Sequence, residues 1–387
     1  MKLPRSLANL PVTALLALGA LAAALLGAVW LHDSGPTRPI AGRLELAVVT
    51  PGPANDSGWS ATHAQALSEL EARMGPTVRA HLRPSVPESA EVARTIEELL
   101  AAKVRLIFLA SYGYKDWTAS EAASHPGVAF VQVSGTTHGA NLGCYAPRTI
   151  EAMYVCGYVA GRMTRTGRLG FLAAHPIPQV IANINAFTLG VRSACPAAVV
   201  QVIWLNSWSD PAAEAPAVHG LAELRTDVIA HHLSSSATVV AEAQARGIYC
   251  IGYNTDLSRT AAACWLTGVQ FRWATYYEQV ARGLIAGTWR GGSDRLGLDS
   301  GVVALAPFGP RVSKELRSTA AALLNRIRSG AMQVFTGPLA DRSGRLRLEP
   351  GVSPAPGWLE GMDWFVPGVS GPLPSANVFE SGVLPAS

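Results

Sequence analysis

Charge is scarce in this chain. Of its 387 residues only 15% are Asp, Glu, Lys or Arg, against 49% hydrophobic, and the formal net charge is +4. Lys and Arg gather into no run that would read as a nucleic-acid patch. The apolar share is too high for an intrinsically disordered chain and large enough for a sizeable core. Cysteine is scarce too, limited to Cys144, Cys156, Cys195, Cys250 and Cys264. None stands in a C-x-x-C spacing, which excludes a zinc ribbon and a thioredoxin-like motif. An odd number leaves at least one thiol free or paired between chains. Cys156, inside a helical apolar run, reads as a small core residue. Catalytic signatures are also missing: no H-x-E with P-C-x-x-C, no G-x-S-x-G elbow, no phosphate loop, no G-x-G-x-x-G. Asp56 and Asp256 are the one conceivable acid pair, and nothing completes a catalytic set around them. The chain is therefore expected not to be an enzyme, and to need neither cofactor nor metal.

What is present begins with an apolar N-terminus. Lys2 and Arg5 precede an uncharged stretch from Leu10 to Leu31. A signal-peptide core runs about 7–15 residues and a spanning helix about 20, and this stretch is nearer the second. Val29, Trp30 and Leu31 leave no small-residue cleavage triplet, and Trp30 fits an interfacial anchor. The expectation is an uncleaved signal anchor with the body of the chain outside the cytoplasm; a cleaved signal is the alternative. The Pro- and Gly-containing stretch 32–42 reads as a linker.

The body alternates strand and helix patterns. Leu44 to Val49 is an apolar run interrupted only by Glu45, followed by a Gly/Pro/Asn/Asp turn and a helix pattern from Trp59. Further strands are expected at 78–82, 104–110, 128–133, 169–174, 199–205, 228–231 and 248–251, with helices between them. Near-continuous apolar strands separated by helices predict an α/β fold with doubly wound parallel sheets. In such sheets ligands bind outside the carboxyl ends of the strands. Those ends carry Asp56 and Trp59, then Tyr112, then Trp208 with Asp210 close by, then His232, then Asn254 and Asp256. Two tryptophans from opposite lobes can clamp a planar ring, and each stacked base is worth roughly 1–3 kcal/mol. Asp56 either accepts hydrogen bonds from a ligand or caps its helix. Asn185 either reaches the ligand from its helix or bonds the neighbouring loop. Tyr112 with Gly113 either offers backbone N–H groups or makes a tight turn. His231 and His232 are adjacent on a strand, so they point to opposite faces, which argues against a shared metal ion. From about Pro350 the chain is rich in Pro, Gly and Ser and reads as an extended tail laid on the body, with a disordered end after about Ser375.

Taken in order, Asp56-Ser-Gly-Trp-Ser60, Ser111-Tyr-Gly-Tyr114, Pro176-Ile-Pro178, Ile184-Asn-Ala-Phe-Thr-Leu-Gly190 and Asn206-Ser-Trp-Ser-Asp-Pro211 form a specific set. Ile251-Gly-Tyr-Asn-Thr-Asp256, Leu305-Ala-Pro-Phe308, Phe335-Thr-Gly-Pro338 and Met362-Asp-Trp-Phe365 extend it. With these motifs, from about Leu44 to Gly371, the chain resembles the basic membrane protein family of ABC-transporter solute-binding proteins, which bind purine nucleosides or bases. It looks closest to the branch that binds adenine-like bases. The resemblance implies a type I periplasmic binding fold: two Rossmann-like lobes joined by a hinge, with crossings near Gly143, Asp256 and Gly292. It implies lobe 1 at 43–143 with 256–292, lobe 2 at 144–255 with 293–348, an N-terminal anchor and linker at 1–42 and a tail at 349–387. The family's base-stacking aromatics fall on Trp59 and Trp208, and His232 faces the cleft. Nucleoside-binding members carry an acid for the ribose where this chain has Asn254, which favours a free base.

Two departures stand out. The similar branch has Gln-His-Thr-Asp-Ser-Pro where this chain has His231 to Ser236, so an acid able to read an amino group is replaced by Ser234. Family members are commonly lipoproteins, but no cysteine precedes Cys144, so the helix at 10–31 would supply the tether instead. The resemblance implies a binding protein that presents a purine to an ABC permease on the outer face of the membrane. A membrane-anchored domain that senses a purine for a signalling partner is the alternative.

Overall fold

A computed structural model describes residues 39–374, apart from 136 and 356. The expected anchor at 10–31 and the chain end from 375 lie outside the described residues. No helix among the described residues is long and apolar enough to cross a membrane.

The apolar runs become strands because a parallel sheet covered by helices buries both of their faces. The chain runs β1 (Leu44–Val49), α1 (Trp59–Met74), β2 (Val78–Arg83), α2 (Glu91–Ala101), β3 (Leu106–Leu109), α3 (Lys115–Ser124), β4 (Ala129–Val133) and β5 (Leu142–Pro147). It continues through α4 (Ile150–Met163), β6 (Arg168–Ala173), α5 (Pro178–Ala194), β7 (Val199–Trp204), α6 (Pro211–Glu223), β8 (Val228–His232), α7 (Ala237–Ala245), β9 (Tyr249–Gly252) and β10 (Trp265–Phe271). After α8 (Trp273–Ile285) come β11 (Ser293–Leu296), β12 (Val303–Leu305), α9 (Lys314–Arg328), the hairpin β13 (Leu339–Ala340) and β14 (Leu346–Leu348), and β15 (Val369–Ser370).

Two large sheets result. One has the order β11-β5-β4-β3-β1-β2 and is parallel throughout. The other has the order β12-β10-β9-β8-β6-β7-β15, parallel except for β12 against β10. These are two doubly wound α/β units, as a type I periplasmic binding fold requires.

The second sheet is faced by α4 and α5, which approach closely because small residues line their contact. A Cβ on Gly157 or Gly161 would sit 2.1 or 2.4 Å from the carbonyl oxygen of Phe187 or Val191, and one on Gly190 would sit 2.0 Å from that of Tyr154. Any larger residue at these three positions forces the helices apart.

The crossings between sheets differ from those expected. β10 pairs with β9, so the stretch after Asp256 stays with the second sheet, and the chain returns to the first at Arg272, where α8 begins to pack on α1. The first crossing falls at 148–149, after β5, and the third at 297–302, because β11 pairs with β5 in the first sheet. The Pro/Gly-rich C-terminus is also more than a tail. Met362, Trp364, Phe365, Val366 and Val369 are buried, and β15 adds an edge strand beside β7. All five cysteines are free thiols, and burial pushes the Cys156 thiol well above its usual range.

Candidate ligand-binding cleft

The loops leaving the carboxyl ends of both sheets meet each other directly. Gly58, just before α1, bridges Ser235 in the loop after β8. The Trp59 backbone N–H donates to the Ser234 carbonyl at 2.7 Å, and Thr255 Oγ1 donates to the Ser57 carbonyl at 2.9 Å. Ser234 is the hub of this contact. Its carbonyl also accepts from Asn254 Nδ2 at 2.9 Å, and its N–H donates to the Trp208 carbonyl at 2.7 Å. One short loop thus ties together the segments that carry Trp59, Trp208 and Asn254.

Rings run continuously from one indole to the other. Trp59 meets Phe271 edge-on at 5.7 Å, Phe271 meets Tyr253 at 5.8 Å, Tyr253 lies 4.3 Å from His232, and His232 lies 5.9 Å from Trp208. His175, just after β6, meets Trp208 edge-on at 5.2 Å. Behind Trp59 stand Trp273 at 5.4 Å and His63 at 4.7 Å. The Trp59 indole N–H donates to the Ala110 carbonyl at 2.7 Å, which pins the ring to the end of β3. Trp59 is half-buried, whereas Trp208 keeps 38% exposure.

The expected polar residues separate into different places. Asp56 is consumed by its own turn: its carboxylate accepts from the N–H groups of Gly58, Ser60 and Ala61 at 2.8–2.9 Å. Asn254 adopts a left-handed backbone with φ of 74° and donates to the carbonyls of Leu233 and Ser234, so its side chain builds the loop. Asp256 is exposed and accepts from the Ser258 N–H at 2.8 Å, an ordinary turn cap. Tyr112 is 56% exposed, with the Lys115 ammonium 4.3 Å from its ring centre. Asn185 is fully buried on the far side of α5. Its Nδ2 donates to the Trp364 carbonyl at 2.8 Å and its Oδ1 accepts from the Val366 N–H at 2.9 Å, so it holds the C-terminal segment. Of the expected set, Trp59, Trp208 and His232 belong to the ring chain, while Asp56 and Asn254 support the loops around it.

Sequence reasoning passed over Asn183. It is fully buried, accepts from Thr149 Oγ1 at 2.9 Å and donates to His232 Nδ1 at 2.9 Å. Tyr253 joins the same cluster, donating to Thr149 Oγ1 at 3.4 Å. Glu88, in the loop after β2, was also missed. It accepts from Ser111 Oγ and, at 3.2 Å, from the Gly113 N–H, and its charge reaches His175 on the opposite sheet. Burial lowers the His175 pKa, and the Glu88 carboxylate partly opposes that shift. Burial, with the neighbouring His231, holds His232 down at about 3, so it is neutral at physiological pH. The site therefore offers a contiguous aromatic surface, a neutral histidine and the exposed carboxylate of Glu88, which suits a flat, uncharged, polar-edged ligand.

The family described as ABC transporter substrate-binding protein PnrA-like, Bmp, matches residues 44–334. A purine-binding protein of Brucella abortus is 34% identical over 332 residues, covering 86% of this chain and 94% of that protein. A putative ABC transporter glucose-binding protein of Haloferax volcanii is 30% identical over 320 residues, covering 83% of this chain and 78% of that protein. A solved ABC transporter solute-binding protein from Conexibacter woesei superposes with a TM-score of 0.65 at 20% identity, over 75% of this chain and 98% of that one. At that identity the likeness speaks for the fold.

Proposed function

The chain belongs to the Bmp family of PnrA-like ABC transporter substrate-binding proteins, and we propose that it captures a purine between its two sheets. The ligand in this reading is a free, adenine-like base, with a nucleoside as the neighbouring case. Outside the cytoplasm, tethered by its N-terminal segment, the protein hands this ligand to an ABC permease. No reaction is catalysed. The work is closure of two α/β lobes around the ring, with stacking on Trp59 and Trp208 and polar contacts from His232 and its neighbours.

The observation that carries this reading is the chain of rings linking two indoles at the carboxyl ends of opposite sheets. A hexose needs rings on its faces too, but it also needs many polar side chains for its hydroxyls. Here Asp56, Asn185, Asn254 and Asp256 are all turned to other partners. The similarity to a purine-binding protein points the same way.

The test is mass spectrometry of the small molecules released when the purified protein is denatured. A purine base among them supports the reading. A sugar or amino acid released in stoichiometric amount overturns it.

A further inference from the structure

The polarity of the ligand edge is written into one buried hydrogen-bond chain. Tyr253, Thr149, Asn183 and His232 are each at most 5% exposed, so their protons must find acceptors inside the protein. The Tyr253 hydroxyl donates to Thr149 Oγ1, and the Thr149 hydroxyl donates to Asn183 Oδ1. This turns the Asn183 amide so that Nδ2 faces His232, where it donates to Nδ1 at 2.9 Å; its second proton points to the Tyr253 oxygen at 3.5 Å. An Nδ1 that accepts carries no proton. A neutral imidazole carries one, so the proton sits on Nε2. Burial keeps the ring neutral, and the adjacent His231 opposes a second charge.

Nε2 makes no hydrogen bond among the described residues, and unlike the two nitrogens of His231 it is not sealed from solvent. It belongs to the ring placed between Tyr253 and the half-exposed Trp208. The titratable groups near this corner are Tyr253, His231, His175 and, across the cleft, Glu88.

We propose that His232 is a fixed hydrogen-bond donor that requires an acceptor on the ligand: an unprotonated ring nitrogen or a carbonyl oxygen, never an amino group. This rests on the purine reading above and sharpens it. The bound purine turns N1, N3, N7 or a ring carbonyl toward His232, and its amino group, where it has one, points elsewhere. Asn183 and Thr149 are positioning residues that set the tautomer and touch no ligand.

Two measurements test this. The first is a long-range proton–nitrogen correlation spectrum of the protein labelled with 15N-histidine, with His232 assigned by its loss in His232→Phe. The expected pattern is the neutral Nε2–H tautomer between about pH 5.5 and 8. The Nδ1–H tautomer, or an imidazolium, overturns the proposal whether or not any purine binds. The second is calorimetry with the tightest purine and its 1-, 3- and 7-deaza analogues, and its oxo analogue. One replacement should weaken binding about tenfold or more in the wild type, because it leaves a buried donor unpaired. The same replacement should matter less than about threefold in His232→Phe, where the donor is gone. Equal losses in both proteins overturn the proposal. If no purine binds, the proposed function falls and the spectrum alone decides whether His232 is a donor.

Discussion

The contact between the loops of the two sheets leaves no room for a side chain at Gly58, and that makes Gly58→Ala the sharpest perturbation of the proposed closure. A Cβ on Gly58 would lie 1.7 Å from the Ser234 carbonyl oxygen and 2.6 Å from its carbon. A comfortable carbon–oxygen contact is well over 3 Å, so the two loops must part by about 1.5 Å. That breaks the 2.7 Å bond from Trp59 N–H to Ser234 and strains the 2.9 Å bond from Thr255 to Ser57. Two hydrogen bonds at about 1–1.5 kcal/mol each place the penalty on the closed state near 2–3 kcal/mol. A ligand that binds only the closed state then loses roughly 30- to 150-fold in affinity. The assay is calorimetric titration with the natural ligand, with solution scattering to detect a more open form. Gly127→Ala is the control, because nothing lies within 4 Å of its Cβ. An affinity for Gly58→Ala within about threefold of wild type would refute the coupling of this contact to binding.

Other expectations follow from the same geometry. Trp208→Ala should weaken purine binding by about 1–3 kcal/mol, read by calorimetry, while Tyr112→Ala, at an exposed ring, should leave it unchanged. Asn185→Ala should destabilise the fold by about 3 kcal/mol or more, since it leaves the Trp364 carbonyl and Val366 N–H unpaired in the core, and hydrogen exchange should rise at 362–370 with little change in ligand affinity. His63, His231 and His232 all have pKa values lowered by burial to about 3 from 6.5. Below pH 6.5 the unfolded chain takes up protons that the folded one refuses, so stability is full above that pH and falls as the pH drops toward 3. With about 1.4 kcal/mol per pH unit for each histidine, the slope approaches about 4 kcal/mol per unit, measurable as a falling denaturation midpoint between pH 6.5 and 5. A midpoint flat over that range would mean that the three rings take up protons as readily in the folded state as in the unfolded one.

The sheets were legible because parallel strands covered on both faces are nearly continuous apolar runs: β3 is wholly apolar, and β1 and β4 are interrupted only by Glu45 and Gln132. The crossings were not, because nothing local says which sheet a strand joins. β10, with Thr267, Gly268 and Gln270 inside it, carries a weaker strand pattern and was not expected, and only its register against β9 assigns it to the second sheet. The C-terminus was legible as a segment laid on the body, but its prolines and glycines hid how deeply Met362, Trp364 and Phe365 enter the core and that β15 adds an edge strand. In the candidate site, Trp59 and Trp208 could be placed from their positions after strands. Asn183 was passed over in favour of Asn185, because residue type alone does not separate them. Two residues apart on a helix they face nearly opposite ways, and both are buried, one beside His232 and one against Trp364. Likewise the acids at 56 and 256 looked like ligand contacts because turn caps and binding groups draw on the same residue types.

The most direct test of the central claim is a calorimetric titration of the ligand-stripped protein with adenine and, separately, with glucose. Saturable binding of adenine, weakened in Trp208→Ala, with no heat from glucose is the result that a purine held between the two indoles predicts. Saturable binding of glucose with no heat from adenine, or from any other purine base or nucleoside tried in its place, would contradict it.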